Sequence, residues 1–265
     1  MKRALIFSLS LAVPHAARAQ LTVLGSGVEE RAARPGETYS GSLRVRNDGA
    51  RSAEARVYQT DYTFTADGTT RYGAPGSLPR SNARWIIFSP SQVRIPPGGE
   101  AVVGYVVTVP ADAGLGGAFW SMLMVEGIAP GSAASTETSE HVRVQVGVRP
   151  SVRYGVQIAT ALAGPAPRIA FSNAHAFVGG RGKVLELDLT NAGETAYRPE
   201  IRVELFDEAG RPAGSFTSRR GLLYPGTSLR QRFELGALKA GSYQAMVVAD
   251  AGGDQVYGAQ YTLRL

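Results

Sequence analysis

The feature that most limits how this chain can fold is a two-residue alternation of apolar and polar side chains. It is clearest in residues 141–158, HVRVQVGVRPSVRYGVQI, where nearly every even position is apolar and most odd positions are polar. Successive side chains of a β-strand point to opposite faces, so this pattern indicates a strand with one buried face. Because Pro150 lacks a backbone N–H, we predict two strands, at 142–149 and 152–160, which share that face.

The second half of the chain contains seven runs of this kind, separated by short turns rich in glycine and acidic residues. Seven short alternating strands over about 100 residues are typical of an immunoglobulin-like or fibronectin-like β-sandwich. No long stretch has helical periodicity, so we predict an all-β fold. The predicted inward side chains are Leu185, Leu187, Leu189, Ile201, Val203, Leu205, Leu229, Phe233, Leu235, Tyr243, Val247, Tyr257, Tyr261 and Leu263.

The first half repeats this plan. GSLRVRNDG (41–49) parallels LELDLTNAG (185–193), and each is an alternating strand that ends in Asn-x-Gly. A Pro-Gly turn that leads into a strand also occurs in both halves, at 95–110 and at 224–235. We therefore predict two sandwiches in tandem, joined near 150–167.

The first 19 residues have the composition of a secretory signal peptide. Lys2 and Arg3 precede the apolar run 4–13, which is too short to span a bilayer and is followed by an A-x-A-type cleavage site. We therefore expect a periplasmic or otherwise exported protein without a membrane-spanning segment. The predicted division is a signal peptide at 1–19, an N-terminal immunoglobulin-like domain at 20–150 and a C-terminal one at 151–265.

The residue types that most catalytic and metal sites require are scarce. The chain has no cysteine, and once the signal peptide is removed only His141 and His175 remain, in different predicted domains. Zinc sites and Ser-His-Asp or Cys-His catalysis therefore lack their components. The formal net charge of +6 comes from scattered arginines without an aromatic-basic cluster, which argues against nucleic-acid binding. We predict a protein that is not an enzyme and has no catalytic residues, metal or cofactor.

Residues 116–128, GGAFWSMLMVEGI, are apolar on both faces of a predicted strand. Both faces must therefore be covered. The core covers one of them, and the other lies either against the second domain or a long loop, or against a partner protein. In the second case the candidate partner-binding residues are Phe119, Trp120, Met122 and Met124.

The next residues, APGSAASTETSEH (129–141), are small and polar and predict a loop. Two long strands joined by this loop form a hairpin whose outer edge can accept or donate a strand. The alternative is an ordinary long surface loop. The candidate partner-binding residues on the second strand are Val142, Val144, Val146 and Val148.

The segment 89–130 resembles the periplasmic pilus-assembly chaperones of the chaperone–usher pathway, and SLRVRN, ending at Asn47, resembles an early strand of that family. The resemblance implies that an edge strand completes secreted or pilin-like subunits, with an outer-membrane usher as a further partner. It also implies an arginine and a lysine that hold the subunit's carboxylate. Arg31 matches the arginine; RYGVQIAT (153–160) contains no lysine, and Arg153 stands in for it. The matching positions are Pro90, Arg94, Pro97, Gly98, Pro110, Asp112, Phe119, Trp120, Glu126, Ile128 and Pro130.

A second resemblance is carried by YQTDYTFTADGTTRYG, RSNARWIIFSP and LTNAGETAYRPEIRVELFDEAGR. These stretches are similar to WxL-interacting cell-surface proteins, which are tandem sandwiches that scaffold other surface proteins and contact peptidoglycan. The sequence therefore predicts a chaperone or assembly factor that binds subunits by strand addition. The alternative is a structural or adhesive envelope protein that scaffolds surface proteins or binds peptidoglycan.

Overall fold

The computed structural model describes residues 21–129, 152–218, 221–250 and 255–265. In this part of the chain the regular structure is β-strand, apart from a 3₁₀ turn at Ala83–Trp85. None of the described residues forms a helix that is long and apolar enough to cross a membrane.

The described strands form two sandwiches. The first contains β1 (Leu21–Leu24), β2 (Val28–Ala32), β3 (Thr38–Asn47), β4 (Ala53–Phe64), β5 (Thr70–Gly73), β6 (Ile86–Ser89), β7 (Gln92–Ile95), β8 (Glu100–Thr108), β9 (Gly117–Ile128) and β10 (Arg153–Leu162). The second contains β11 (Ile169–Gly179), β12 (Gly182–Asn191), β13 (Glu200–Asp207), β14 (Pro212–Thr217), β15 (Ser228–Gly236), β16 (Ser242–Asp250) and β17 (Val256–Arg264).

Each sandwich packs two sheets face to face. In the first, a sheet of order β1-β3-β8-β6 lies over one of order β2-β10-β9-β4-β5, in which β7 also pairs with β4. In the second, β11-β12-β15 lies over β14-β13-β16-β17. The described strands pair antiparallel, except that β2 runs parallel to β10. The predicted all-β fold with two tandem sandwiches is confirmed.

The core of the second sandwich contains the side chains that the alternation predicts. Most of the predicted inward residues are buried, and Leu229, Tyr257 and Tyr261 are partly buried against the same cluster. All seven predicted strands are present, and the first extends further than predicted, to Gly179. The period of two is therefore sufficient to assign the inner face of these strands.

The change from one sandwich to the other comes later than the predicted boundary after residue 150. Every residue of Arg153–Leu162 is opposite a residue of β9, so β10 belongs to the first sandwich. The second sandwich begins at Ile169. The connection between the sandwiches therefore runs between Leu162 and Ile169. The sequence places the boundary too early because the alternation does not specify with which strands β10 pairs.

A buried asparagine closes the end of β3. The Asn47 side-chain amide donates to the carbonyls of Arg51, Ile95 and Pro96 at 2.7, 2.9 and 3.2 Å. Its Oδ1 accepts the Gly49 N–H at 2.9 Å. The side chain thus joins the turn after β3 to the chain between β7 and β8.

The second sandwich has the same corner at the end of β12. The Asn191 side-chain amide donates to the carbonyls of Thr195 and Leu223 at 2.9 and 3.2 Å, and its Oδ1 accepts the Gly193 N–H at 2.9 Å. The repeated Asn-x-Gly therefore marks equivalent positions of the two sandwiches.

Candidate functional site

The strand β9 lies at the centre of its sheet, between β10 and β4. Its odd-numbered side chains Phe119, Leu123 and Val125 face the core of the first sandwich. Phe119 packs against Trp85, with 4.6 Å between the ring centroids. This face of β9 is an ordinary core face.

The opposite face of β9 is covered by the second sandwich. Trp120 stacks on Tyr224, with ring centroids 4.6 Å apart and an interplanar angle of 11°. The indole N–H of Trp120 also donates to the Tyr62 carbonyl at 3.0 Å. Met122 and Met124 belong to the same buried cluster. Large aromatic and flexible methionine side chains thus fill the joint between the two sandwiches.

The prediction that Phe119, Trp120, Met122 and Met124 contact a partner is therefore corrected. Their exposed fractions lie between 3% and 7%, and the residues that cover them belong to this chain. The other interpretation of the two-faced strand, burial against the second domain, describes Trp120, which stacks on Tyr224; Met122 and Met124 are buried in the same cluster. Phe119 is a core residue.

Polar contacts complete the joint. Arg80 pairs with Glu194 at 3.0 Å, and the Ala118 N–H donates to the Glu194 carbonyl at 2.8 Å. On the other side of the joint, Arg198 pairs with Glu30 at 3.2 Å. The two sandwiches are therefore connected by apolar packing, ion pairs and backbone hydrogen bonds together.

The strand β10 is next to β9 and closes the core with its even-numbered residues. Val156 and Ile158 are 3% and 1% exposed, and Tyr154 packs against the same cluster. On the other face, Gly155 lies beneath Met122, where an added Cβ would come within 2.1 Å of the sulfur. The predicted phase is confirmed from Tyr154 to Ile158, whereas Val152 precedes the strand and is 43% exposed.

The outer side of β10 is only half covered. Strand β2 pairs with Gln157–Ala161, and the Gln157 N–H donates to the Gly27 carbonyl at 2.9 Å. Backbone groups of alternate residues in a strand point to the same side, so those of Arg153 and Gly155 also point away from β9. In the described ranges no further strand pairs with them. Among the described strands, the N-terminal half of β10 thus has an open edge on this side.

The predicted loop and the four valines Val142, Val144, Val146 and Val148 lie outside the described residues. Their assignment to partner binding stays a prediction. His141 lies outside them as well. In the described part of the chain, no three His, Cys, Asp or Glu side chains group as metal ligands.

The two candidate anchor arginines do not come together. Arg31 is opposite Thr160, and Arg153 lies seven residues earlier on β10. At about 3.3 Å per residue the two are about 23 Å apart, too far to hold one carboxylate. The prediction of a joint anchor is therefore wrong, because the register between β2 and β10 separates its members.

Arg153 instead belongs to a ladder of charges across three strands. Glu126 lies opposite both Arg56 and Arg153, and accepts hydrogen bonds from their side chains at 2.6 and 2.9 Å. Burial by itself raises the pKa of Glu126, but the bonds from the two arginines outweigh it and hold that pKa below its ordinary value. Arg153 is therefore engaged within the chain.

A buried polar network supports β9 and β10 from the core side, and sequence reasoning missed it. Asn82 donates to the Ile158 carbonyl and to the Thr160 hydroxyl, both at 3.0 Å, and accepts from Ser121 at 2.7 Å. The Thr160 and Tyr39 hydroxyls are 2.7 Å apart. Because each partner comes from a distant part of the chain, no local pattern indicates this network.

Taken together, the fold and the edge define a class: a tandem β-sandwich protein with a half-open strand edge on its first sandwich. No protein-family model matches the sequence, and no curated protein matches it.

The chain is similar in structure to three solved chaperone structures. One is from a chaperone–tip adhesin complex of CFA/I fimbriae, at 10% identity and a TM-score of 0.47, over 92% of this chain and 99% of that chain. The YadV chaperone has 13% identity and a TM-score of 0.43, over 91% of this chain and 100% of that chain. A Salmonella enterica SafA pilin–SafB chaperone complex has 12% identity and a TM-score of 0.39, over 92% of this chain and 96% of that chain. At these identities the likeness is one of fold.

Proposed function

We propose that this chain is a non-enzymatic periplasmic chaperone or assembly factor that binds secreted or pilin-like subunits by strand addition along β10. The observation that carries the proposal is the open edge of β10 at Arg153 and Gly155. Their backbone groups point away from β9, as those of Gln157 do, and Gln157 pairs with β2. An extended segment of a subunit can bind such an edge through main-chain hydrogen bonds.

The sequence before β10 supports strand addition at this edge. The even-numbered apolar residues of 142–148 have the phase of Val156 and Ile158, which face the core. In strand addition, main-chain bonds provide affinity and alternate side chains provide specificity. We therefore propose the four valines as the side chains that enter the subunit.

The two candidate anchor arginines differ in their contacts within the chain. Arg153 is paired with Glu126 at 2.9 Å, whereas Arg31 is exposed and lies 5.6 Å over the Tyr39 ring. We propose Arg31 alone as the residue that binds a carboxylate of the subunit. An outer-membrane usher is the further partner that this function would require.

A pair of double variants tests the proposal. We expect Val144→Asp with Val146→Asp to abolish capture of the subunit from the periplasm, because charges would replace the side chains that enter it. The matched control is Gln145→Asp with Gly147→Asp, which introduces the same two charges on the opposite face of the predicted strand. Capture is measured by affinity purification and mass spectrometry, and folding by circular dichroism.

Hydrogen exchange locates the bound subunit. We expect the Gly155 amide to exchange more slowly in the complex, whereas the Val156 amide, which points to β9, serves as the internal control. Equal capture by both folded double variants contradicts the proposal. Sedimentation of the chain with purified peptidoglycan, without capture of any subunit, indicates the structural envelope role instead.

A further inference from the structure

Strands at the edge of a sheet pair with other chains unless a local feature prevents it. Most edge strands of the described sheets have such a feature. β1, β5 and β6 have four residues each, and β2 carries three charged residues. β14 begins with Pro212, β15 has charged side chains at alternate positions, and the pairing of β11 shifts between Ser172 and His175.

The edge strand β17 has none of these features. Its nine residues pair with β16 without a register shift. It contains no proline, and its one charged residue, Arg264, is at the end of the strand. Val256, and Met246 beside the strand, are 63% and 45% exposed. A long, regular and almost uncharged edge of this kind is expected to have a partner strand.

The backbone directions of β17 follow from one pair of hydrogen bonds. Leu265 and Gly241 exchange N–H···O bonds of 3.0 Å in both directions. Backbone directions alternate along a strand, so the odd-numbered residues of β17 point to β16. The outward-pointing backbone groups are those of Val256, Gly258, Gln260, Thr262 and Arg264.

We propose that β17 pairs antiparallel with β17 of a second copy of this chain, with Gln260 opposite Gln260. This register places every outward-pointing residue opposite another one, so all the edge hydrogen bonds form. It also uses all nine residues of the strand. The interface is isologous and closes as a two-fold dimer.

The side chains of β17 match this register. Ala259 falls opposite Tyr261, and Gly258 opposite Thr262, so at these two pairs of positions a small residue meets a larger one. The charge of Arg264 falls opposite Val256 rather than opposite the other Arg264, which avoids the like-charge pair that destabilises a sheet. This self-complementarity selects a second copy of the chain over an unrelated extended peptide.

The dimer is independent of the proposed subunit binding. β17 belongs to the second sandwich and the open edge of β10 to the first, so each of the two edges can be occupied separately. An edge-to-edge contact is small, and we expect weak, concentration-dependent association.

Cysteine cross-linking tests the register, because the chain contains no cysteine of its own. In the proposed dimer the two Gln260 Cα atoms are about 5.5 Å apart, within disulfide range. The matched control is Met246→Cys, on the same exposed face one strand further in, where the two copies would be about 14 Å apart. We expect the Gln260→Cys variant to form disulfide-linked dimers at least about tenfold faster than this control.

Sedimentation of the full chain tests the dimer without a cross-link. We expect a sedimentation coefficient that rises with concentration, and loss of this rise in the Gln260→Pro variant. Proline removes an outward N–H and leaves the bonds to β16 intact, so the variant is expected to fold. Equal cross-linking of the two cysteine variants, a monomer at all concentrations, or an unchanged dimer in folded Gln260→Pro overturns the proposal. If Gln260→Pro does not fold, the cysteine comparison decides.

Discussion

At the scale of single residues, the asparagine corners show how one side chain serves a whole sandwich. Asn47 binds three backbone carbonyls and one N–H, and its bond to the Ile95 carbonyl is fully buried. Leaving a buried polar group unsatisfied costs about 1–3 kcal/mol. No other side chain of this size offers two N–H donors and an acceptor together.

We therefore expect Asn47→Ala to lower the free energy of unfolding by about 3 kcal/mol, as measured by chemical denaturation. Asn47→Asp is the control, because it keeps the acceptor for Gly49 and loses the donors. Asn191→Ala should have a similar effect through the second sandwich. An unchanged denaturation midpoint for both alanine variants would show that the corners are dispensable.

The repeated corner could be predicted from the sequence, and the anchor could not. Asn47 and Asn191 each end an alternating strand in a short Asn-x-Gly pattern, and such a local pattern can be recognised in a single sequence. Whether Arg31 and Arg153 meet depends on the register between β2 and β10. β2 and β10 are far apart in the chain, so no hairpin turn fixes their register and the spacing of residues does not reveal it.

At the scale of elements, β9 and β10 also have features that the sequence predicts and features that it does not. The alternation correctly predicts that Val156 and Ile158 face the core. The two-faced pattern of β9 correctly predicts that both faces are covered, but it does not identify the cover. Tyr62 and Tyr224 provide it from distant parts of the chain.

The charge ladder across β4, β9 and β10 makes a prediction about pH. The pKa of Glu126 is lower in the folded state than its ordinary value of 4.5. The unfolded state therefore binds more protons near that pH, and the stabilisation is complete above about 4.5 and is lost as the pH falls below it. Because Arg56 and Arg153 are 52% and 59% exposed, the ladder contributes about 1 kcal/mol.

We expect Glu126→Gln to be about 1 kcal/mol less stable than the wild type at neutral pH, with a difference that shrinks as the pH falls below about 4.5. Urea denaturation across a pH series measures this difference. Glu29→Gln, at an exposed carboxylate of β2, is the control for removing a negative charge. A difference that stays constant down to acid pH contradicts the assigned role of Glu126.

At the scale of the whole molecule, the joint makes the two sandwiches one unit. Burial raises the pKa of Tyr224 to about 12, so its hydroxyl stays protonated at neutral pH and donates to the Gln157 side chain at 3.0 Å. Gly117 has a φ of +79°, and a Cβ there would come within 2.2 Å of the Glu194 carbonyl oxygen. Close backbone contact and stacked aromatic rings together hold the second sandwich against β9.

This joint predicts that the wild type unfolds in a single transition in scanning calorimetry, since neither sandwich can unfold without exposing the cluster around Trp120. We expect Tyr224→Ala to lose about 3 kcal/mol and to separate the transition into two, because the stacked ring is removed. Tyr224→Phe keeps the ring and loses only the bond to Gln157, so it should retain one transition and lose about 1 kcal/mol. Two transitions in the wild type, or one unshifted transition in Tyr224→Ala, would mean that the sandwiches are not coupled through this cluster.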